Sequence, residues 1–410
     1  MKLTHLTKIY FPDNGGGISQ AVETVTDGFR DMEQEVICCQ RKPGIETVED
    51  TYEGIPVLRC KQFLDVASTP FSFRFLKEMK RRGANDGITI YNFPYPLCDI
   101  GILFHCYRGK LVLWWHCDFV SYKRLAPFYR PFVKHSLKKA DMILVSSDGT
   151  IDGSDLLPQF RDKCLKVPYS ISDEHLRAGE EYVEKYGYGV SACVKISDEE
   201  GAASLELDDG SVNGNHVHML FLGRLVWYKG GDLLLHVLKR LVEEEKIDAE
   251  GNTPVYDLTF VGGGPKQEEL EALTADLGLT DRVRFTGMVS EEEKREEIRR
   301  SDFLVLPSTS EAESFAIVQI EAMAFGKPVI NTRLNSGVPY VSIDGETGLT
   351  VTPGSEDELL QAIKTLGKSK DLRERYGRAA YERVQAEYTR EKMIRRLKDG
   401  LETLYKGEKM

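Results

Sequence analysis

Short apolar runs alternate with helical segments along almost the whole chain, and the alternation occurs in two separate blocks. The first block opens with MKLTHL, passes through three glycines at 15–17 and continues into the helical pattern ISQAVETVTDGFRDM. The strand-like runs EVICC, ITIYN, KLVLWW and DMILVSS follow. A strand, a glycine turn and a helix open a βαβ unit, and buried strands separated by helices favour a parallel sheet.

A polar stretch separates the two blocks. Residues 176–214 include ISDEEGAASLELDDGSVNGN, which is rich in acids, Gly and Ser and has no apolar period. We interpret them as a linker with an acidic insertion. The alternation then resumes with the strands HMLFLG, YDLTFVG, VRFTG and FLVLP, separated by helical segments. The sequence therefore predicts two parallel-sheet α/β domains, with ligands bound at the carboxyl ends of the strands in a cleft between them.

Composition and charge narrow the function classes. The 410 residues carry 65 Asp and Glu against 54 Lys and Arg, a net charge of -11, which disfavours nucleic acid as a partner. No run approaches the roughly 20 apolar residues of a membrane span, and no signal peptide is evident. The eight cysteines show no metal-ligand spacing, so we predict reduced thiols that hold no metal, in a cytoplasmic protein.

One segment departs from the acidic average. The stretch YKRLAPFYRPFVKHSLKKA, residues 122–140, holds basic and aromatic side chains and no acid. It could contact an anionic acceptor or lie on an anionic membrane surface, or it could simply be a solvated helix face. The candidate contact residues are Lys123, Arg124, Lys134, Lys138 and Lys139.

Two cations follow the first strand of the second block. Arg224 comes just after that strand and Lys229 precedes a helix, an arrangement suited to a diphosphate, although two surface cations in a loop are the alternative. After the next strand, three glycines at 262–264 allow a phosphate or sugar to approach the backbone closely. They do not form a dinucleotide fingerprint, because Gln267 stands where its third glycine is required.

Two carboxylates lie in the apolar stretch EAESFAIVQIEAMAFGKPVI. Glu313 stands just before a helical pattern that begins at Phe315, and Glu321 lies in the middle of that pattern. A buried carboxylate requires a partner, which could be the hydroxyls of a sugar and a ribose or, for Glu321, a neighbouring Lys or Arg.

The spacing of these carboxylates resembles the EX7E signature of glycosyltransferase family 4. Further stretches that match the family are GR and KG around Arg224 and Lys229, GGGP at 262–265, the early glycines with Gln20, and WWHCD at 114–118. The resemblance implies a GT-B fold, an α/β architecture of two Rossmann-like domains facing across a cleft. It places an acceptor-binding domain at 1–175, a nucleotide-sugar-binding domain at 215–388 and a last helix, 389–410, that crosses back to the first domain.

The resemblance also implies roles for individual residues. Arg224 and Lys229 would stabilise the leaving diphosphate, Glu313 would hold the donor sugar, Glu321 the ribose, and His116 would lie beside the transferred sugar. The implied catalytic residues are His116, Arg224, Lys229 and Glu313. The implied donor-binding residues are Gly16, Gly17, Gly223, Arg224, Lys229, Gly263, Gly264, Glu313, Ser314, Phe315, Ala316, Ile317 and Glu321.

Members of this family retain anomeric configuration and need neither metal nor cofactor. Several stretches, such as KIYFPDNGGGISQ and WWHCDFV, look most like bacterial mannosyltransferases of surface polysaccharide assembly. The expected reaction moves mannose from GDP-mannose to a glycan, carried by a polyprenyl-diphosphate lipid, with the enzyme cytoplasmic or peripheral at the inner face of the plasma membrane. A donor of UDP-hexose or UDP-N-acetylhexosamine is the alternative.

Two departures from the family pattern concern the donor sugar. Ala316 replaces the usual glycine, and Ser170 replaces the glycine of a PxG loop. Functions of other classes also stay open, namely a GT-B nucleotide-sugar epimerase, a phosphorylase with a pyridoxal cofactor, and a non-catalytic nucleotide-sugar sensor.

Overall fold

The computed structural model describes residues 1–13, 17–66, 69–83, 85–118, 126–196, 203–207, 216–248 and 253–407. The chain divides into two compact units. The first unit comprises Met1–Tyr169 and Arg390–Met410, and the second comprises Ser170–Thr389. Each contains a parallel sheet with helices, which confirms the predicted fold class.

The first unit is built on an eight-stranded sheet. Its strands, with a small hairpin formed by β5 and β6, are β1 Lys2–Leu6, β2 Glu33–Cys39, β3 Val48–Tyr52, β4 Ile55–Cys60, β5 Leu64–Val66, β6 Thr69–Phe71, β7 Ile88–Phe93, β8 Lys110–Trp115, β9 Met142–Val145 and β10 Cys164–Lys166. Its helices before the second unit are α1 Gly17–Gly28, α2 Phe73–Arg82, α3 Pro96–Leu103, α4 Ala126–Lys139 and α5 Asp148–Asp152, followed by a 3₁₀ segment Leu157–Lys163.

The strand order in this sheet is β10-β9-β8-β7-β1-β2-β4-β3. All pairs are parallel except β3 with β4. Every residue of β7 is buried, which explains why ITIYN is apolar throughout instead of alternating. The chain builds outward from β1 to one side and then returns to add β7 on the other side, so the order reverses between β1 and β7.

The second unit contains a six-stranded sheet that is parallel throughout. Its elements are α6 Asp173–Tyr186, β11 Ala192–Ile196, β12 Ala203–Leu207, β13 His216–Leu222, α7 Gly231–Ile247, β14 Val255–Val261, α8 Gln267–Asp276, β15 Val283–Gly287, α9 Glu291–Arg300, β16 Phe303–Val305, α10 Ile317–Ala324, β17 Val329–Thr332, α11 Val338–Val341, β18 Gly348–Val351, α12 Glu356–Lys368 and α13 Lys370–Glu387. The sheet order is β15-β14-β13-β16-β17-β18, and β11 and β12 form a separate antiparallel hairpin.

The segment 176–214 differs from the irregular linker that its composition indicated. Helix α6 covers its first part, with the Ser172 hydroxyl accepting a hydrogen bond from the His175 amide at the helix start. A β-carbon at Gly179 would lie 2.3 Å from the carbonyl oxygen of Ala324, so α6 packs closely on α10. The few buried positions of α6 are spread among charged residues. For this reason the apolar periodicity of the sequence did not indicate a helix here.

The last helix, α14 Arg390–Lys406, belongs to the first unit. Ile394 packs against Gly28 of α1, where a β-carbon would approach its side chain to 2.4 Å, and Arg390 forms an ion pair with Asp27. The helix is separated from α13 by a break at Tyr388 and Thr389. Within the described residues, no helix combines the length and apolar character that crossing a membrane requires.

Candidate active site

In the second unit, the strand order reverses between β13 and β16. β13 is followed in space by β14 and β15 on one side, and by β16 and β17 on the other. Ligands of open α/β sheets bind outside the carboxyl ends of the strands at such a reversal. Arg224 follows β13, and Glu313 lies in the loop after β16. The two loops that carry the predicted residues therefore flank the position where this fold binds its ligands.

Lys229 and Glu313 form an ion pair across this reversal. The Lys229 Nζ lies 2.6 Å from Glu313 Oε2, and the two side chains are 9% and 11% exposed. A β-carbon at Gly223, whose φ is +130°, would lie 3.1 Å from the same Nζ, so glycine leaves room for the ammonium beside the strand end. The sequence indicated each residue separately, and the structure joins them.

Arg224 differs from Lys229 in its surroundings. Its side chain is exposed, and no ion pair joins it to another residue in the described part of the chain. A guanidinium at a strand end presents several donors to solvent in a fixed planar arrangement, which suits a phosphate group. The two predicted cations thus differ, because Lys229 is paired with a carboxylate whereas Arg224 is exposed to solvent and can contact a ligand.

The glycine-rich loop after β14 has a packing role. A β-carbon at Gly264 would lie 2.3 Å from the carbonyl oxygen of Leu225, and the Leu225 amide donates to Gly263 O at 3.0 Å. This loop therefore packs backbone to backbone on the segment that carries Arg224. At Gly263, by contrast, the nearest atom is the Met288 side chain at 3.4 Å.

The helix that carries Glu321 begins at Ile317, two residues later than the apolar pattern indicated. The reason is Ala316, which has φ 62° and ψ 74° and is the N-cap of α10. A non-glycine residue in this left-handed region is strained by roughly 1–2 kcal/mol. The preceding residues are fixed from outside the loop, since Phe315 is buried against Tyr388 and the Ser314 carbonyl accepts from the Gly337 amide.

Glu321 is paired within the unit. Its Oε1 lies 2.7 Å from Lys294 Nζ, and the same ammonium lies 2.7 Å from Glu291. The Glu321 backbone carbonyl accepts from His175 Nε2 at 3.1 Å. Pairing with a neighbouring cation, one of the two explanations that the sequence left open, is therefore present. Two carboxylates share one lysine here, so part of their acceptor capacity remains for another donor.

In the first unit, His116 lies just after β8 and is 4% exposed. Its Nε2 donates to Asn92 Oδ1 at 2.9 Å, and its Nδ1 accepts from the Tyr169 hydroxyl at 2.5 Å. Asn92 also donates through Nδ2 to the Leu6 carbonyl, which identifies Oδ1 as the oxygen facing His116. Burial lowers the pKa of His116 to about 3, so the ring is neutral.

The remaining predicted residues fall into two groups. Gly17 begins α1, and Lys134, Lys138 and Lys139 are exposed on α4. Gly16, Lys123 and Arg124 lie outside the described residues.

The partners of the predicted residues could not be identified from the sequence. Lys294, the partner of Glu321, lies in α9, 27 residues earlier in the chain. The sequence indicated that Glu321 could pair with a Lys or Arg but did not identify this residue. Asn92, at the end of β7, and Tyr169 hold His116. Asn92 was detectable as a polar residue at the carboxyl end of a buried strand, next to the reversal between β1 and β7.

Comparison with known proteins gives two kinds of match. Residues 207–383 match the family model of glycosyl transferases group 1. The chain is 28% identical over 396 residues to the O-antigen chain mannosyltransferase C of Escherichia coli, covering 96% of each chain. It is 29% identical over 391 residues to the D-rhamnosyltransferase WbpZ of Pseudomonas aeruginosa, covering 95% of this chain and 92% of the relative.

Solved structures agree on the fold. A sucrose-phosphate synthase from Thermosynechococcus elongatus superposes with a TM-score of 0.71 at 17% identity, covering 99% of this chain and 100% of the other. Anabaena HepE in complex with UDP gives a TM-score of 0.70 at 16% identity, covering 98% and 100%. These likenesses show that the fold is GT-B.

Proposed function

We propose that this chain, a glycosyltransferase with the GT-B fold, transfers a hexose from a nucleotide sugar to a hydroxyl of a glycan in bacterial polysaccharide assembly. The Lys229–Glu313 pair at the strand-order reversal carries the proposal. It places one ammonium, fixed by a carboxylate, where the fold binds its ligands, beside the exposed guanidinium of Arg224. A leaving diphosphate develops negative charge there, and preorganised positive charge lowers that barrier.

The roles follow from the surroundings of each residue. Lys229 and Arg224 stabilise the leaving diphosphate, and Glu313 orients Lys229 while accepting hydrogen bonds from the donor sugar. Glu321, already bound to Lys294, accepts from the ribose. The acceptor hydroxyl attacks from the face that the diphosphate leaves, and the departing phosphate takes its proton, so that configuration is retained without a metal ion.

Mannose carried by GDP is our proposal for the donor. The names of the two relatives that match nearly the whole chain are a mannosyltransferase and a D-rhamnosyltransferase. D-rhamnose lacks only the terminal hydroxyl of mannose, so both names specify the same ring configuration. UDP is the second candidate, because a structural neighbour was solved with UDP.

His116 contributes shape and a neutral surface. Both ring nitrogens are engaged by Asn92 and Tyr169, and the ring is neutral. We assign it to packing beside the transferred sugar. An uncharged ring there does not repel the positive charge that develops on the reacting sugar. It takes no proton in this scheme.

A thermal-shift screen tests the donor. A nucleotide at about 100 times its dissociation constant adds about 2.7 kcal/mol to the stability of the folded state. We expect a shift with GDP and GDP-mannose in the presence of EDTA, lost in Glu321→Ala and kept in Glu311→Ala, a matched exposed acid of the preceding loop. A shift in melting temperature with UDP alone would make UDP, instead of GDP, the nucleotide of the donor. Absence of a shift with every nucleotide would contradict the proposed glycosyltransferase function.

We further propose that α4 brings the enzyme to an anionic membrane surface carrying a polyprenyl-diphosphate-linked acceptor. Lys134, Lys138 and Lys139 are exposed on this helix, and Phe128 and Phe132 are 77% and 37% exposed beside them. Lysines next to exposed aromatic rings bind anionic lipid surfaces.

Flotation with vesicles containing anionic lipid tests this location. Reversal of the three lysines to Glu is expected to abolish flotation. The control is Arg41→Glu, Lys42→Glu and Lys77→Glu, which makes the same change of charge at other exposed positions of the first unit. Equal flotation of the two variants would exclude α4 as the binding surface.

A further inference from the structure

His216 and His218 lie on the same face of β13. Successive side chains of a strand point to opposite faces, so residues two apart share a face. In the register of the sheet His218 lies directly opposite Asp257 of β14. The strand pairing therefore brings two imidazoles and one carboxylate together, and neither strand's sequence shows this by itself.

The ligand atoms of the three side chains converge. His218 Nδ1 lies 2.9 Å and His216 Nδ1 3.3 Å from the same oxygen, Asp257 Oδ2. One ligand atom from each residue lies within 4.8 Å of the others. Two ligand atoms bound to one tetrahedral zinc ion are about 3.3 Å apart, given bonds of about 2.0–2.1 Å.

We propose that His216, His218 and Asp257 bind one divalent transition-metal ion of the zinc type. Two imidazoles and a carboxylate suit Zn²⁺ and related borderline ions, whereas Mg²⁺ and Ca²⁺ prefer oxygen ligands throughout. Three protein ligands leave a fourth position of a tetrahedral ion for water or another ligand. The His216 and His218 side chains are 45% and 27% exposed, so an ion can enter without rearrangement of the core.

The surroundings are compatible with added positive charge. His218 and Asp257 line a cavity of about 650 Å³, together with Arg282, Arg284 and Arg300. Each of these arginines is paired with a glutamate, Glu245, Glu297 and Glu296 respectively. The backbone of His218 is fixed as well, because its amide donates to Asp302 at 2.8 Å and its carbonyl accepts from the Asp302 amide.

This site lies at the opposite end of the sheet from the proposed donor site. His218 precedes Leu222, the last residue of β13, by four residues, or about 13 Å along the strand, and Arg224 lies beyond it. The ion would therefore take no part in transfer. It would cross-link β13 and β14 and stabilise the folded second unit by preferential binding.

Calorimetric titration of the untagged chain with ZnCl₂, after removal of metal by a chelator, tests the proposal. We expect one site per chain, and affinity at least about tenfold weaker in His216→Ala, His218→Ala and Asp257→Asn. The matched control is His236→Ala, which removes an exposed histidine of α7 in the same unit. Melting curves without metal show that each variant is folded.

The titration has clear contrary outcomes. Absence of saturable binding at about 100 μM zinc, an affinity too weak for a dedicated site, would overturn the proposal. So would equal affinity of the three ligand variants and the control. A rise in melting temperature with Zn²⁺ but not Mg²⁺, absent in His216→Ala, is the second expected result. It is independent of nucleotide binding, so failure here leaves the proposed function untouched.

Discussion

The ammonium of Lys229 lies 2.6 Å from the carboxylate of Glu313, and this contact joins the loop after β13 to the loop after β16. Both side chains are about nine-tenths buried. A buried cation with one fixed partner keeps its position without a ligand, so the site is organised before substrate binds. The pair connects stability of the second unit with activity, and both can be measured.

Removing either partner should destabilise the unit more than removing both. Lys229→Met leaves Glu313 buried without its cation, and Glu313→Gln leaves the ammonium without its anion. We expect each single variant to cost about 3 kcal/mol of unfolding free energy. The double variant should cost less than either single variant, and urea unfolding measures all three.

The same variants separate stability from catalysis. Lys229→Met is expected to lower kcat by about 10² to 10³, as removal of one preorganised donor does in other enzymes. Lys239→Met, at a half-buried position of α7 paired with Glu243, is the control for loss of a lysine. Additive stability effects in the double variant would contradict a direct Lys229–Glu313 interaction.

Ala316→Gly should stabilise the second unit by up to about 1 kcal/mol. The φ of 62° strains alanine by roughly 1–2 kcal/mol, and glycine removes this strain while increasing the freedom of the unfolded chain. Ala316→Val should be destabilising, because a branched side chain fits this region less well. Thermal unfolding of both variants checks the order, and a less stable glycine variant would show that Ala316 is not strained.

His116 should make the first unit less stable in acid. Its pKa is about 3 in the folded state and near 6.5 when unfolded, so the unfolded chain binds the extra proton between these values. Stability is therefore complete above pH 6.5 and falls as the pH decreases, by about 2 kcal/mol at pH 5. His116→Gln should lack this contribution.

The comparison of wild type and His116→Gln isolates one group. His5, whose pKa burial lowers to about 4, and Asp99 and Asp118, whose pKa values burial raises to about 6, titrate in both proteins and cancel in the difference. The buried Trp114 and Trp115 report unfolding of this unit by fluorescence. A difference in stability that does not change between pH 7 and pH 5 would show that His116 is charged or accessible in the folded state.

Lys327→Met should be among the most destabilising substitutions in the second unit. The fully buried Nζ of Lys327 donates to the Ser301 carbonyl at 2.7 Å, the Arg299 carbonyl at 3.1 Å and the Tyr182 hydroxyl at 3.0 Å. Its loss leaves the buried Ser301 carbonyl without this donor, whereas the Arg299 carbonyl keeps a hydrogen bond from the Tyr182 hydroxyl. We expect a cost of about 3 kcal/mol. Lys266→Met, at an exposed pair, should change urea unfolding little, and equal effects would be contrary to this account.

Much of the fold followed from the sequence because the strands are buried on both faces. Runs such as ITIYN and FLVLP are apolar at consecutive positions, and the helices between them are long enough to cross over to a parallel neighbour. Helix α6 escaped detection because its contacts with α10 involve a glycine, Gly179, and only a few apolar side chains. Close packing of two backbones at a glycine requires no apolar side chain, so the pattern of apolar residues does not indicate it.

The site was predictable as a set of residues but not as a set of contacts. Arg224 and Lys229 were identified from their places after a strand and before a helix. Glu313 and Glu321 were identified as carboxylates in an apolar stretch and from the spacing between them. Their partners depend on sheet order, which brings the loops after β13 and β16 together, and on packing of α9, which supplies Lys294. The left-handed backbone at Ala316 was equally invisible, since alanine ordinarily favours helix.

Binding of a nucleoside diphosphate is the most direct test of the proposed donor site. We would titrate the purified chain with GDP and with UDP by calorimetry, using Arg224→Ala and, as control, the exposed Arg333→Ala. We expect one site, with binding unchanged in Arg333→Ala and at least about tenfold weaker in Arg224→Ala, since a charge-assisted hydrogen bond contributes about 1.5–3 kcal/mol. Absence of binding, or equal binding by the two variants, would contradict the proposed donor site.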